Sequence, residues 1–137
     1  MQPSNSNRTD RPWWRDRIAS FGYAVKGIRV LLKTQVHAKF HLFATVIVIA
    51  AGLYLSLSIP AWCILILSIG AVWTAEAFNS SLEFLVDLVH PDWHEDAGRV
   101  KDLAAGAVLL ISIASAVIGI LIFGSRLYNL GYLPYLG

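Results

Sequence analysis

Charged residues are scarce in this sequence, and cysteine is almost absent. Asp, Glu, Lys and Arg make up 15% of the 137 residues, whereas 56% are hydrophobic. The mean hydropathy is +0.58. This composition excludes disordered and collagen-like chains. The one cysteine, Cys63, cannot form an internal disulfide, so a disulfide-rich secreted fold is excluded too. The remaining class is a small integral membrane protein with one domain.

Three apolar runs are long enough to be membrane spans. The first covers 42–59, and Pro60 then marks a turn. The second covers 61–89 and carries acids in its second half, whereas the third, 103–123, has no charge. Crossing a bilayer core takes about 20 apolar residues in a helix. The sequence therefore predicts an all-α integral membrane protein with three transmembrane helices.

The basic residues are concentrated before the first run. Eight of the eleven lysines and arginines precede it, two lie in the loop 90–102, and only Arg126 follows the third run. Since positive charge is retained on the cytoplasmic side, we expect the N-terminus and this loop in the cytoplasm, with the protein in the inner (plasma) membrane. The net charge of +2 gives no reason to expect a nucleic acid partner.

The segment 15–34 has the pattern of an amphipathic helix. Its apolar positions share one helix face: Ile18, Phe21, Val25, Ile28 and Leu32. A helix of this kind is predicted to lie on the membrane surface. The predicted organisation is a flexible basic tail over 1–14, a membrane domain over 15–124 and a C-terminal tail over 125–137.

Acids and an amide share one face of the second span. The residues concerned are Glu76, Asn79, Ser80, Glu83 and Asp87. They fall within an arc of about 100° because each helical residue advances by about 100°. An acid at the centre of a membrane helix costs roughly 2.5–3.5 kcal/mol, and an isolated anchor helix would have no reason to carry that cost.

Two explanations of these acids follow from the residues alone. They could pair with lysines of neighbouring helices, such as Lys39 or Lys101, and only fix the helix packing. Alternatively they bind a divalent cation, since Mg²⁺ takes oxygen ligands of this type together with substrate phosphates. The deepest acid, Glu76, would then lie further from the ion and could act as a general base.

The loop after the second span, HPDWHEDAGRVKD, alternates acids and bases beside this acidic face. A solvated loop would have a similar composition, but Lys101 could also hold a phosphate beside a metal ion. Neither a GxxxxGK[ST] loop nor a protein-kinase glycine-rich loop occurs in the sequence. Standard motifs therefore do not identify a nucleotide site.

The string AEAFNSSLEFLVDLVHPDWHEDAGRVKDLAAGAVLL resembles the signature region of the prokaryotic diacylglycerol kinase family, which includes undecaprenol kinases. Its pattern over 76–107 is E-x-x-N-S-x-x-E-x-x-x-D, a W-H pair and G-R-x-K-D before an Ala/Gly-rich helix. The pattern GYAVKGIR at 22–29 extends the resemblance, which runs from Phe21 to Phe123. The resemblance implies a homotrimeric membrane enzyme that uses Mg²⁺ to transfer the γ-phosphate of ATP to a lipid alcohol. The acceptor is diacylglycerol, which gives phosphatidic acid, or undecaprenol, which gives undecaprenyl phosphate; the choice stays open.

The resemblance also implies roles for single residues. Glu76 is implied as the general base, Asn79 as a residue that aligns the site, and Glu83 as the principal metal ligand. Lys101 is expected on the phosphates of ATP. Contacts to nucleotide or metal are further implied for Tyr23, Asp87, Asp92, Trp93, His94 and Asp102.

Gln35 departs from the family pattern, because many members have an acidic metal ligand at the corresponding position. An amide carbonyl still coordinates Mg²⁺, but the lost negative charge is expected to weaken metal binding. His37 and His41 nearby are interpreted as polar residues of the membrane interface, since magnesium prefers oxygen ligands.

The alternative function is a proton- or cation-conducting membrane protein that uses the intramembrane carboxylates as relay sites. A conducting path needs polar groups across the whole membrane. The outer half of the second span, 61–72, is apolar apart from Ser68. The residues therefore favour the enzyme.

Overall fold

The computed structural model describes residues 13–132, without the side chains of Trp13, Arg15 and Asp16. Four helices make up most of this range: α1 (Trp13–Thr34), α2 (Val36–Tyr54), α3 (Ile59–Val89) and α4 (Glu95–Asn129). The described residues contain no strand, which confirms the all-α prediction. Of the predicted tails, residues 1–12 and 133–137 lie outside the described part of the chain.

The chain divides into two compact units, and the boundary between them falls after Thr34. The described part of the first unit is α1, which begins two residues before the predicted surface helix and ends at the predicted residue. Its apolar side chains Ile18, Phe21 and Ile28 are exposed, whereas Leu31 is buried. The second unit contains α2, α3 and α4.

α2, α3 and α4 are each long and apolar enough to cross a membrane. The three predicted spans are thereby confirmed as helices. α3 packs chiefly against α4, and α2 packs against α3. Few apolar side chains are buried; they include Leu65 and Val72 of α3 and Ala104 of α4. Most apolar side chains of these helices face outward, as expected where lipid surrounds them.

The helices do not begin and end where the apolar runs do. α2 covers Val36–Tyr54 instead of 42–59, and α4 covers Glu95–Asn129 instead of 103–123. Hydropathy marks the part of a helix that suits lipid, but backbone hydrogen bonds continue into the polar flanks. At 1.5 Å per residue, α4 is about 52 Å long, which exceeds the ~30 Å hydrocarbon core.

The turn between α2 and α3 also differs from the prediction. Pro60 lies in the first turn of α3, where its missing N–H costs nothing, and not in the turn itself. The chain reverses at Ser56, whose φ of 49° is left-handed. Gly52 of α2 packs closely against the Trp62 ring of α3. A side chain at position 52 would prevent this contact, because its Cβ would lie 2.8 Å from the ring. Arg126 of α4 donates from Nε to the Leu55 carbonyl oxygen at 2.7 Å and holds the same turn.

α4 begins with a histidine cap. The Nδ1 atom of His94 accepts a hydrogen bond from the backbone N–H of Asp96 at 3.2 Å. Glu95 and Asp96 add negative charge to the first turn, where the helix dipole favours it. The cap directs α4 back along α3, so the polar ends of both helices lie side by side.

Candidate active site

A buried polar cluster lies on the face of α3 that the sequence predicted to carry the acids. The Glu76 side chain is 2% exposed, and Asn79 and Ser80 are also buried. Glu76 is the largest fully buried side chain in the described residues. Burying a carboxylate is costly unless it is paired or hydrogen-bonded, and an apolar residue would pack here more cheaply. The cluster therefore points to a chemical role.

Glu83 lies one turn beyond Asn79, and two amide groups hold its carboxylate. Asn79 donates from Nδ2 to Oε1 at 3.1 Å, and Gln35 donates from Nε2 to Oε2 at 3.2 Å. No lysine or arginine within the described part of the chain lies within 4.0 Å of this carboxylate. Glu83 is thus fixed in orientation, and no cationic side chain of the described residues neutralises its negative charge.

The hydrogen bond to Glu83 also fixes the amide of Asn79. The Nδ2 group must face the carboxylate, because the reversed amide would bring two acceptor oxygens together. The Oδ1 atom is therefore buried and has no hydrogen-bond partner among the described residues, and the same holds for the Oγ atom of Ser80. An unpaired buried acceptor beside an uncompensated carboxylate is a feature that a hard cation would satisfy.

No group of three or more His, Cys, Asp or Glu side chains within residues 13–132 is arranged to hold a metal ion. This is compatible with Mg²⁺, which is usually bound through one or two carboxylates together with water and substrate phosphates. The donors around Glu83 fit this pattern, because they are one carboxylate and neighbouring amide oxygens.

Asp87 and Lys101 form an ion pair between α3 and α4. The Nζ atom of Lys101 lies 2.5 Å from Oδ1 of Asp87. For Asp87, the explanation by lysine pairing therefore holds in this structure. Both side chains are more than one third exposed, so the pair is open to exchange with a ligand. Lys39, the other lysine considered, is exposed and lies in no ion pair within the described residues.

His41 of α2 is the ionisable group next to Glu76. Its Nε2 atom lies 3.9 Å from Oε2 of Glu76, and its side chain is 21% exposed. This distance is too long for a hydrogen bond. The sequence alone suggested only that His41 is a polar residue of the membrane interface. The missing signal was its position across from Glu76, which requires knowing how α2 packs against α3.

The loop residues with predicted nucleotide contacts lie at the polar end of α3 and α4. Asp92 and Asp102 are exposed, and the Trp93 side chain is 89% exposed. The His94 ring stacks on the His90 ring with centroids 5.1 Å apart, in addition to capping α4. These side chains surround the end of the helix pair without contacting Glu83 in the described residues.

Two further residues are the basic Arg99 of the loop 90–102 and Tyr23, for which the resemblance implied a nucleotide contact. Arg99 pairs within α4 with Glu95 at 2.6 Å and with Asp96 at 3.0 Å. Tyr23 lies on α1, in the other unit, and is exposed. Tyr23 forms no hydrogen bond within the described residues.

A groove of about 410 Å³ lies between α2, α3 and α4 in the apolar zone. His41 and Thr45 line it on α2, Leu65 and Val72 on α3, and Ser112 and Gly119 on α4. Val72 is one helical turn from Glu76, so one end of the groove lies next to the buried carboxylate. The Oγ atom of Ser112, a lining residue, is buried and has no hydrogen-bond partner in the part of the chain that the structure describes. We call this feature the intramembrane groove.

Comparison with known proteins identifies the family of the chain. Residues 22–123 match the family described as prokaryotic diacylglycerol kinase. The chain is 38% identical over 108 residues to an undecaprenol kinase of Bacillus subtilis, which covers 79% of this chain and 88% of that protein. It is 41% identical over 103 residues to a diacylglycerol kinase of Synechocystis, covering 74% of this chain and 59% of that protein. A diacylglycerol kinase of Escherichia coli K12 is 28% identical over 100 residues, covering 73% and 82% of the two chains.

Proposed function

The chain belongs to the prokaryotic diacylglycerol kinase family and is a lipid kinase, and we propose that it transfers the γ-phosphate of ATP to a lipid hydroxyl with Mg²⁺. The observation that carries the proposal is the buried Glu76 on the same helix face as Glu83, whose carboxylate is held by two amides and by no cationic side chain of the described residues. This arrangement provides a proton acceptor and an ion site about 10 Å apart along one helix face.

Glu76 is the general base of the proposed reaction. Its carboxylate takes the proton of the lipid hydroxyl while the oxygen attacks the γ-phosphorus in line with the leaving ADP. The intramembrane groove supports this role, because it leads from the apolar zone to the neighbourhood of Glu76. A lipid alcohol can therefore enter from the bilayer while ATP arrives from water.

Glu83 is the proposed metal ligand, with Asn79 aligning it and Gln35 as a further ligand through its amide oxygen. When bound, Mg²⁺ supplies charge neutralisation for the phosphates of ATP. Gln35 and Asn79 orient the Glu83 carboxylate through their N–H groups. The Oδ1 atom of the same Asn79 amide has no hydrogen-bond partner in the described residues, and the proposed ion would satisfy it.

Lys101 is proposed to leave Asp87 and to contact the phosphates when ATP binds. The Lys101–Asp87 pair is exposed enough for this exchange, since it is worth little in water. Asp87, Asp92, Trp93, His94 and Asp102 are proposed to contact the nucleotide or its metal at the same end of the helices. Tyr23 of α1 is proposed to complete the ATP pocket.

We propose a homotrimer in the inner membrane with its N-terminus in the cytoplasm and α1 on the membrane surface. The charge asymmetry supports the orientation, because ten of the eleven lysines and arginines fall on the proposed cytoplasmic side. The exposed apolar side chains of α1, among them Ile18 and Phe21, support its contact with the membrane surface.

Both diacylglycerol and undecaprenol are candidates for the acceptor, since relatives carry both names. The test is phosphorylation of each lipid by one preparation of purified protein with ATP and Mg²⁺. We expect at least one lipid to be phosphorylated with a clear preference between the two. Failure with both lipids, in protein that is folded, would contradict the proposed function. The ion-conducting alternative receives no support from the comparisons.

Replacing Gln35 with Glu is expected to lower the Mg²⁺ concentration needed for half-maximal activity. A second carboxylate 3.2 Å from Glu83 would repel it when no ion is bound and would bind Mg²⁺ jointly with it when the ion is present. An increase in affinity of about tenfold, which corresponds to about 1.4 kcal/mol, is expected. The measurement is activity against free Mg²⁺ at saturating ATP. An unchanged or raised Mg²⁺ requirement would remove Gln35 from the metal site.

Filling the intramembrane groove is expected to impair the lipid substrate selectively. Gly119 lines the groove, and a Cβ at this position would meet no atom within 4 Å, so Gly119→Leu adds a side chain where the groove is open. We expect the KM for the lipid alcohol to rise about tenfold while the KM for ATP stays unchanged. Gly124→Leu is the matched control, because Gly124 also has open space but does not line the groove. Equal effects of both variants on lipid KM would contradict the assignment.

A further inference from the structure

We propose that His41 accepts the proton that Glu76 takes from the lipid hydroxyl and passes it to water. This inference rests on the proposed function, because it assigns a role in the same reaction. It starts from a difference in exposure: the Glu76 side chain is 2% exposed and that of His41 is 21% exposed. A base that is sealed from solvent needs a neighbouring group to return it to its reactive state.

The proton has to leave Glu76 once in every turnover. In the transfer step, the O–H bond of the alcohol breaks and its proton goes to the carboxylate. A bond forms between the alcohol oxygen and the γ-phosphorus, and the bond from the γ-phosphorus to the bridging oxygen breaks, so that ADP leaves with the electron pair. Glu76 is then a neutral acid and cannot act again until it loses the proton. Water cannot take it directly, because almost none of the side chain is accessible.

His41 is placed to receive this proton. Its Nε2 atom faces Oε2 of Glu76 at 3.9 Å, and hydrogen bonds between catalytic groups often shorten to 2.6–3.2 Å only when substrate is bound. A neutral imidazole nitrogen accepts the proton, the carboxylate is regenerated, and the resulting imidazolium is stabilised by that carboxylate. The imidazolium then releases the proton to water through its exposed part.

The surroundings of His41 favour this path over others. Among the described residues, Glu76 is the one acidic side chain that lies within 4.0 Å of His41. On α2, the neighbouring groups His37 and Lys39 are exposed and lie in no described ion pair. α4 has no charged residue between Asp102 and Arg126, so it brings no competing charge to this depth.

His41 also lines the intramembrane groove, which gives it a second possible role in holding lipid. The two roles differ in kinetics. A residue that only shapes the lipid site raises the KM for lipid, whereas a residue that resets the base after transfer lowers kcat without raising either KM.

The test compares His41→Ala and His41→Gln with wild type and with His37→Gln. His37 is an exposed histidine one turn earlier on the same helix, so its variant controls for loss of an imidazole. We expect both His41 variants to lower kcat about tenfold or more without raising either KM, and His37→Gln to leave kcat unchanged. Added imidazole is expected to restore kcat in His41→Ala, because it fits the vacated space and accepts the proton.

Three results would overturn the inference. These are an unchanged kcat in His41→Gln, a raised lipid KM with unchanged kcat, and a reduced kcat in His41→Ala that imidazole does not restore. His41→Gln keeps a polar side chain of similar size, so it remains informative if His41→Ala fails to fold. Activity of the wild-type protein separates this inference from the proposed function, since only failure of the wild type contradicts the latter.

Discussion

Glu76→Gln is expected to reduce phosphorylation of the lipid alcohol by about 10²–10⁴-fold, the range for loss of a general base. Gln has nearly the same shape but cannot accept the proton of the hydroxyl. The fold is expected to persist or to gain stability, because the change removes a carboxylate that is 2% exposed. The measurement is kcat with saturating ATP and lipid, together with the melting temperature.

The matched control for this variant is Glu95→Gln. Glu95 carries an exposed carboxylate that pairs with Arg99 in the first turn of α4, so its loss is expected to change activity and stability little. Full activity of Glu76→Gln in folded protein would exclude Glu76 as the base.

Glu83→Gln is expected to lower activity by about 10²–10³-fold, the range for removing one preorganised electrostatic group. The variant loses the uncompensated charge that the proposed metal ion requires. The local hydrogen bonds can persist, because the new carbonyl oxygen accepts from Asn79 and Gln35 can turn its amide to accept from the new amide group. The half-maximal Mg²⁺ concentration is expected to rise in parallel.

The Mg²⁺ titration separates a metal ligand from a packing residue. A packing defect would lower the melting temperature and leave the Mg²⁺ requirement unchanged. A variant that folds as wild type, with a normal Mg²⁺ requirement and normal kcat, would remove Glu83 from the metal site.

The polar face of α3 was predictable because it depends on helix geometry alone. Any helix through 76–87 brings Glu76, Asn79 and Glu83 onto one side, and the structure does so with an Asn79–Glu83 hydrogen bond. The number of spans was predictable for a similar reason, since long apolar runs have few stable conformations in lipid.

Contacts between helices were not predictable in the same way. The Gln35–Glu83 hydrogen bond joins residues 48 positions apart, and the His41–Glu76 approach joins α2 to α3. Such contacts depend on the rotation and register of two helices, which composition does not determine. The sequence did suggest Lys101 as a partner for the acids, but not which acid it selects. In the structure it pairs with Asp87, the acid nearest the end of α3.

The helix ends were missed because they depend on local hydrogen bonds and not on hydropathy. His94 was considered only for nucleotide contact, yet its ring nitrogen also caps α4. The helix begins at Glu95, eight residues before the apolar run. The reversal at Ser56, together with the glycine needed against Trp62, ends α2 inside a run that reads as uniformly apolar.

The most direct measurement is the transfer of labelled γ-phosphate from ATP into the lipid fraction by purified wild-type protein, with Mg²⁺ and with EDTA. We expect labelled phospholipid only when Mg²⁺, ATP and a lipid alcohol are all present. Equal labelling in EDTA, or Mg²⁺-dependent hydrolysis of ATP that leaves the lipid unlabelled, would contradict the proposed function.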